Sequence, residues 1–106
     1  MKAGFHAEHW LDVAGHPAGG CTYGVGFAIS WQNGPLGRGE LRREPNGAFV
    51  EDVIAAVIDR LLFYQGSDFA CEANEQAIAA LRRAAIVLDE RTTEREERGV
   101  EGTHQR

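Results

Sequence analysis

Two regimes of hydrophobic spacing divide the chain. From Cys21 to Trp31 the run CTYGVGFAISW places Tyr23, Val25, Phe27, Ile29 and Trp31 at every second position, the spacing of one strand face. After Pro45-Asn46-Gly47 the steps lengthen to three and four. Val50, Val53, Ile54, Val57, Leu61 and either Ile58 or Leu62 mark the apolar face of a first helix. Glu51 and Asp52 fall in its first turn and Arg60 near its end, as the helix dipole favours. Gln65-Gly66 predicts its stop, and Ser67 or Asp68 the start of a second helix. Ile78, Leu81, Ala84, Ala85 and Leu88 form the seam of that helix. The same steps continue to Arg91, Arg95 and Arg98, so an apolar seam ends as a row of guanidinium groups before Gly99 closes the helix.

The flanking segments complete an α+β plan. Gly4 to Val13 reads as an edge strand anchored by Phe5, Trp10, Leu11 and Val13, and Gly15, Pro17, Gly19 and Gly20 as a loop. Gln32-Asn33-Gly34-Pro35 is a turn signal, after which Leu36 to Arg43 returns as a more polar strand weakened by Gly37 and Gly39. The expected architecture is a small N-terminal antiparallel β-sheet (1–44) followed by an antiparallel two-helix hairpin (47–99) and a tail (100–106), all in one domain.

Composition narrows the function. A chain of 106 residues holds one modest core, which favours oligomers. Its 11 basic and 16 acidic residues give a net charge of -5, against a DNA or RNA polymer as partner. A basic pocket for a small anion is still compatible with that charge. No signal peptide or membrane-spanning run is apparent, and Cys21 and Cys71 read as free thiols in a reducing cytoplasm.

The chemistry-bearing residues point away from catalysis. His6-x2-His9-x6-His16-x4-Cys21 invites zinc but matches no established ligand spacing, so neither a metal nor a metal-dependent hydrolase is expected. The glycine-rich stretch lacks the Lys-Ser/Thr pair of a P-loop. Phe63, Tyr64 and Phe69 cluster around the helix–helix turn, where they either cap the core or offer ring faces. Asn74 is a poor helix-interior residue with a hydrogen-bonding amide. Arginines that prolong a packing seam suit a phosphate or carboxylate, Arg95 and Arg98 included. Arg91 stands 17 residues beyond Asn74, ~25 Å along a helix, so the two can meet one small ligand only if two subunits share a site.

The segments WQNGPLGRGE, PNGAFVEDVIAAVIDRL, FYQ, FACEANEQAI and RTTEREERGVEGTH, in that order, resemble the phage Thoeris anti-defence sponge family, whose helical hairpin is shared with anti-CBASS sponge proteins. The resemblance runs from about Phe27 to His104. It implies a non-enzymatic protein of the infected bacterium's cytoplasm that binds glycocyclic ADP-ribose signals without cleaving them, with no cofactor. Cyclic di- and trinucleotides are further implied ligands, and dimers assembling into hexamers the implied state. The family pocket carries over to Asn74 through the step Cys71-x-x-Asn74, to Arg91 and Thr92 through the Arg-Thr step, and to Tyr64 or Phe63 as the ring that stacks on adenine. The alternative is a small oligomeric interaction module whose arginine stripe binds an acidic protein partner.

Overall fold

The computed structural model describes residues 4–106. Three strands and two main helices follow one another: β1 (Phe5–Leu11), β2 (Pro17–Gly24), β3 (Phe27–Asn33), a 3-10 turn (Gly39–Leu41), α1 (Val50–Gln65) and α2 (Glu72–Glu97). This is the expected α+β class, a three-stranded antiparallel sheet of order β1-β2-β3 followed by two helices. The described residues form two compact units, one of residues 4–49 with 100–106 and one of residues 50–99.

In the sheet unit, the long alternating run is two strands rather than one. Gly24 pairs with Phe27 across a two-residue turn, where Gly26 takes φ 86, a conformation costly for a side chain with a Cβ. The break also sorts the faces. Phe27, Ile29 and Trp31 lie opposite Gly24, Thr22 and Gly20, whereas Tyr23 pairs with Ala28 and points to the other side. Trp31 Nε1 accordingly donates to Thr22 Oγ1 at 2.8 Å. The predicted loop at Pro17–Gly20 is the start of β2, because β1 and β3 both supply it with ladder partners.

Leu36 to Arg43 does not return as a strand. The edge of β3 it would have used is taken by Ala48, whose N–H bonds Ser30 O at 2.7 Å while Gln32 N–H bonds Ala48 O at 3.0 Å. Asn46 and Gln32 fasten this crossing reciprocally. Asn33 N–H donates to Asn46 Oδ1 at 2.8 Å, Asn46 Nδ2 donates to Asn33 O at 3.0 Å, and the N–H groups of Asn46 and Gly47 both reach Gln32 Oε1. A Cβ on Gly47 would stand 2.5 Å from the Trp31 carbonyl carbon, which explains the glycine. Residues 100–106 pack with this unit. Val100 is 8% exposed, Gly37 N–H bonds Gly102 O, and Arg42 meets the Glu101 carboxylate at 2.7 Å.

In the hairpin unit, α1 half-buries Val53, Ile54, Ile58 and Leu61, while Val50, Val57 and Leu62 are exposed. The sequence makes α1 apolar over more than one stripe, yet a single neighbouring helix covers only one, so Ile58 rather than Leu62 joins the seam. On α2, Ile78 is 6% exposed, and Leu81, Ala84, Ala85 and Leu88 are half-buried as the spacing predicts. Beyond Leu88 the half-buried positions are Thr92 and Arg95; Arg91 and Arg98 flank the seam in solvent.

Candidate functional site

The turn between the helices is built by side chains. Ser67 does not start α2. Its hydroxyl donates to Tyr64 O at 2.6 Å and accepts from Phe69 N–H at 3.1 Å, closing the end of α1 instead. The N-cap of α2 is Cys71, which makes no side-chain cap bond. Gln65 supplies the missing order: its Nε2 donates to Cys71 O and its Oε1 accepts from Cys71 N–H, both at 3.0 Å. Asn74 joins from the first turn of α2, its Nδ2 reaching Gln65 Oε1 at 3.0 Å and Phe69 O at 3.3 Å. Both bonds use the amide nitrogen, so Oδ1 remains available as an acceptor.

Aromatic faces surround this knot. Phe63 is 60% and Phe69 77% exposed, more than core-capping residues would be. The Phe63 and Tyr64 rings meet edge to face with centroids 5.9 Å apart, and the Arg60 guanidinium carbon stands 4.7 and 4.8 Å from their two centroids. Arg60 and Gln65 were not among the sequence-derived site residues. The signal for Arg60 was present in its i,i+3 and i,i+4 spacing to the two rings. For Gln65 no local signal exists, because its partners lie across the turn. A shallow depression beside the turn is lined by Leu62, Gln65, Glu75, Ile78, Ala79 and Arg82, combining apolar walls with one carboxylate and one guanidinium.

The second group of candidates lies far along α2. Arg91 is exposed, and Thr92 Oγ1 donates back to Leu88 O at 3.2 Å. Arg98 binds the Glu94 carboxylate at 3.1 Å, one turn away, while Arg95 is half-buried. Thus Phe63, Tyr64, Phe69 and Asn74 come together at the turn, and Arg91, Thr92, Arg95 and Arg98 form a separate set at the other end of α2. Within one chain the two sets do not converge.

The N-terminal histidines do not form the zinc set their spacing invites. The register puts His6 beside Tyr23, with ring centroids 5.0 Å apart, and Glu8 beside Cys21, whereas His9 lies opposite Gly20 on the other face. His6 Nε2 bonds Glu8 Oε2 at 3.1 Å, and that bond lowers the pKa of the exposed Glu8 carboxyl below its usual value.

Comparison with known proteins agrees with this architecture. The family model of the Acb2/Tad1 hairpin domain matches residues 25–93, which include α1, the turn and most of α2. A protein of Bacillus phage SBSphiJ7 described as "Thoeris anti-defense 1" is 45% identical over 78 residues, 74% of this chain and 52% of that protein. The chain thus spans about half the length of the curated relative it matches. Phe63, Tyr64, Phe69, Asn74, Arg91 and Thr92 fall inside the matched domain, and Arg95 and Arg98 follow it. A turn locked by Gln65 and Asn74 between two amphipathic helices, matched over 65% of the chain's length by one domain model, identifies this chain as a member of the Acb2/Tad1 hairpin family.

Proposed function

We propose that this protein is a phage anti-defence protein that binds cyclic nucleotide immune signals and holds them intact. The ligands are glycocyclic ADP-ribose isomers, with cyclic di- and trinucleotides as additional ligands, and their removal starves Thoeris effectors and those of CBASS. The observation that carries this is the 45% identity to the phage anti-defence protein, which extends across most of the chain.

The chemistry of the two residue sets suits such a ligand. The exposed rings of Phe63 and Phe69 and the half-buried ring of Tyr64 offer faces on which an adenine stacks, worth about 1–3 kcal/mol per base. Asn74 Oδ1 supplies an acceptor for an adenine amino group, and Arg91 a planar donor pair for a pyrophosphate, with Thr92, Arg95 and Arg98 beside it. Because the sets lie far apart in one chain, the complete site draws the turn of one subunit and the arginine end of another. The assembly is a homo-oligomer, a dimer or a hexamer assembled from dimers. Exposed Val50, Val57, Leu62, Ile86 and Val87 give the hairpin apolar surface to bury in it.

The donor set favours sequestration over hydrolysis. All four histidines, His6, His9, His16 and His104, lie outside the helices, so no imidazole base sits among the candidate residues. Among the described residues no helix is long and apolar enough to cross a membrane, and the proposed site of action is the host cytoplasm. Calorimetric titration of glycocyclic ADP-ribose, followed by heat denaturation and chromatography of the released nucleotide, tests the proposal. Tight binding with intact ligand recovered supports it. Recovery of a cleaved product identifies an enzyme instead, and absence of binding to every cyclic nucleotide removes the proposal.

A further inference from the structure

One side-chain cluster in the sheet unit lies outside the residues proposed to bind nucleotide. Asp12 sits at the end of β1 in a turn that fixes its carboxylate. Oδ1 accepts the N–H groups of Ala14 at 2.9 Å and His16 at 3.0 Å, and the main chain closes the turn with Asp12 N–H on His16 O and Gly15 N–H on Asp12 O. Oδ2 is left facing His16 Nδ1 at 3.6 Å. The His104 ring stacks on the His16 ring with centroids 4.2 Å apart. One oxygen and two imidazole nitrogens therefore lie within 4.8 Å of one another, from residues 12, 16 and 104.

We infer that Asp12, His16 and His104 form a binding site for a zinc-class divalent transition metal ion. Two imidazoles and a carboxylate are a donor set that zinc accepts with a fourth position open to water, and that magnesium and calcium do not favour. Bonds of about 2.0–2.2 Å at tetrahedral angles separate ligand atoms by roughly 3.4 Å. The cluster thus has to contract by about 1.5 Å at most, within reach of rotamer changes in solvent-accessible side chains. The Asp12 carboxylate is already oriented for a metal, because its other oxygen is held by two backbone donors. Bound there, the ion would clip the β1–β2 turn to a segment 88 residues later, already seated nearby through Arg42–Glu101 and Gly37–Gly102. A small unit in which Val100 is the one buried apolar side chain among the described residues gains most from such a clip.

The test uses tag-free full-length protein, zinc chloride in calorimetry, and cobalt(II) as the visible-absorbing substitute. One equivalent of zinc per chain with micromolar or tighter affinity is expected, together with a tetrahedral cobalt spectrum. A hundred-fold excess over Kd should raise Tm by about 10 °C. H16A and H104A should each weaken zinc binding by at least the roughly 10–100-fold that loss of an outer-shell partner costs. D12N, which keeps the turn's acceptor and so the fold, should also weaken it, and H9A should not. No zinc binding overturns the proposal. So does stoichiometric binding that survives H16A and H104A, or that is lost instead in H6A.

Discussion

The side-chain amide of Asn74 donates to Gln65 Oε1 at 3.0 Å, joining the first turn of α2 to the last residue of α1. A residue proposed to contact ligand thus also holds the turn that carries the rings proposed to stack on it. The two roles separate by substitution. Q65A removes three hydrogen bonds from the turn and should cost about 1–3 kcal/mol in stability. N74A removes two and should cost about 1 kcal/mol, yet weaken glycocyclic ADP-ribose binding more than Q65A does. Thermal melts and calorimetry on both variants give the comparison; equal loss of affinity would make Asn74 a turn residue only.

Arg91 and Arg98 should differ although both are exposed arginines of one helix end. Arg91→Ala is expected to lower nucleotide affinity by about 10- to 100-fold, the worth of charge-assisted hydrogen bonds, with the oligomer intact. Arg98 is already bonded to Glu94 at 3.1 Å, so Arg98→Ala should change affinity by only a few-fold. Titration calorimetry with light scattering checks both. The reverse ranking would move the phosphate contact from Arg91 to Arg98.

Arg60 lies against both rings of the Phe63–Tyr64 pair. An exposed cation–π contact contributes ~0.5–1 kcal/mol, so R60A should lower Tm by only a few degrees. Its larger expected effect is on binding, because the rings lose the guanidinium that orients them. Affinity should fall several-fold in R60A and less in R60K. Competition by ligand for the ring face Arg60 occupies would give the opposite sign, tighter binding in R60A.

The Gln32–Asn46 clamp predicts a purely structural phenotype. N46A leaves Asn33 N–H without its 2.8 Å acceptor and should destabilise the sheet unit by about 1–3 kcal/mol. G47A forces a Cβ against the Trp31 main chain and should destabilise by a similar amount, about 1–3 kcal/mol. Tryptophan fluorescence reports this unit, since Trp10 and Trp31 are the chain's two tryptophans. Helical circular dichroism from residues 50–99 should be unchanged at temperatures where the fluorescence transition has begun.

Local spacing alone determined both helices, the edge strand β1 and the α+β class. Period is a property of neighbouring residues: Ile78, Leu81, Ala85 and Leu88 share a face however the rest of the chain lies. The motif order likewise carried the family, because WQNGP, PNG, FYQ and CEAN are the residues of the two polar clamps. Only the tertiary structure decided where Cys21 to Trp31 turns, what occupies the edge of β3, and where residues 100–106 go. Each of these depends on a partner distant in sequence: Ala48 for Ser30, Glu101 for Arg42 59 residues earlier, His104 for His16. A hydrogen bond across such a separation leaves no period in the sequence, so those positions read as loop or tail until the fold supplies the partner.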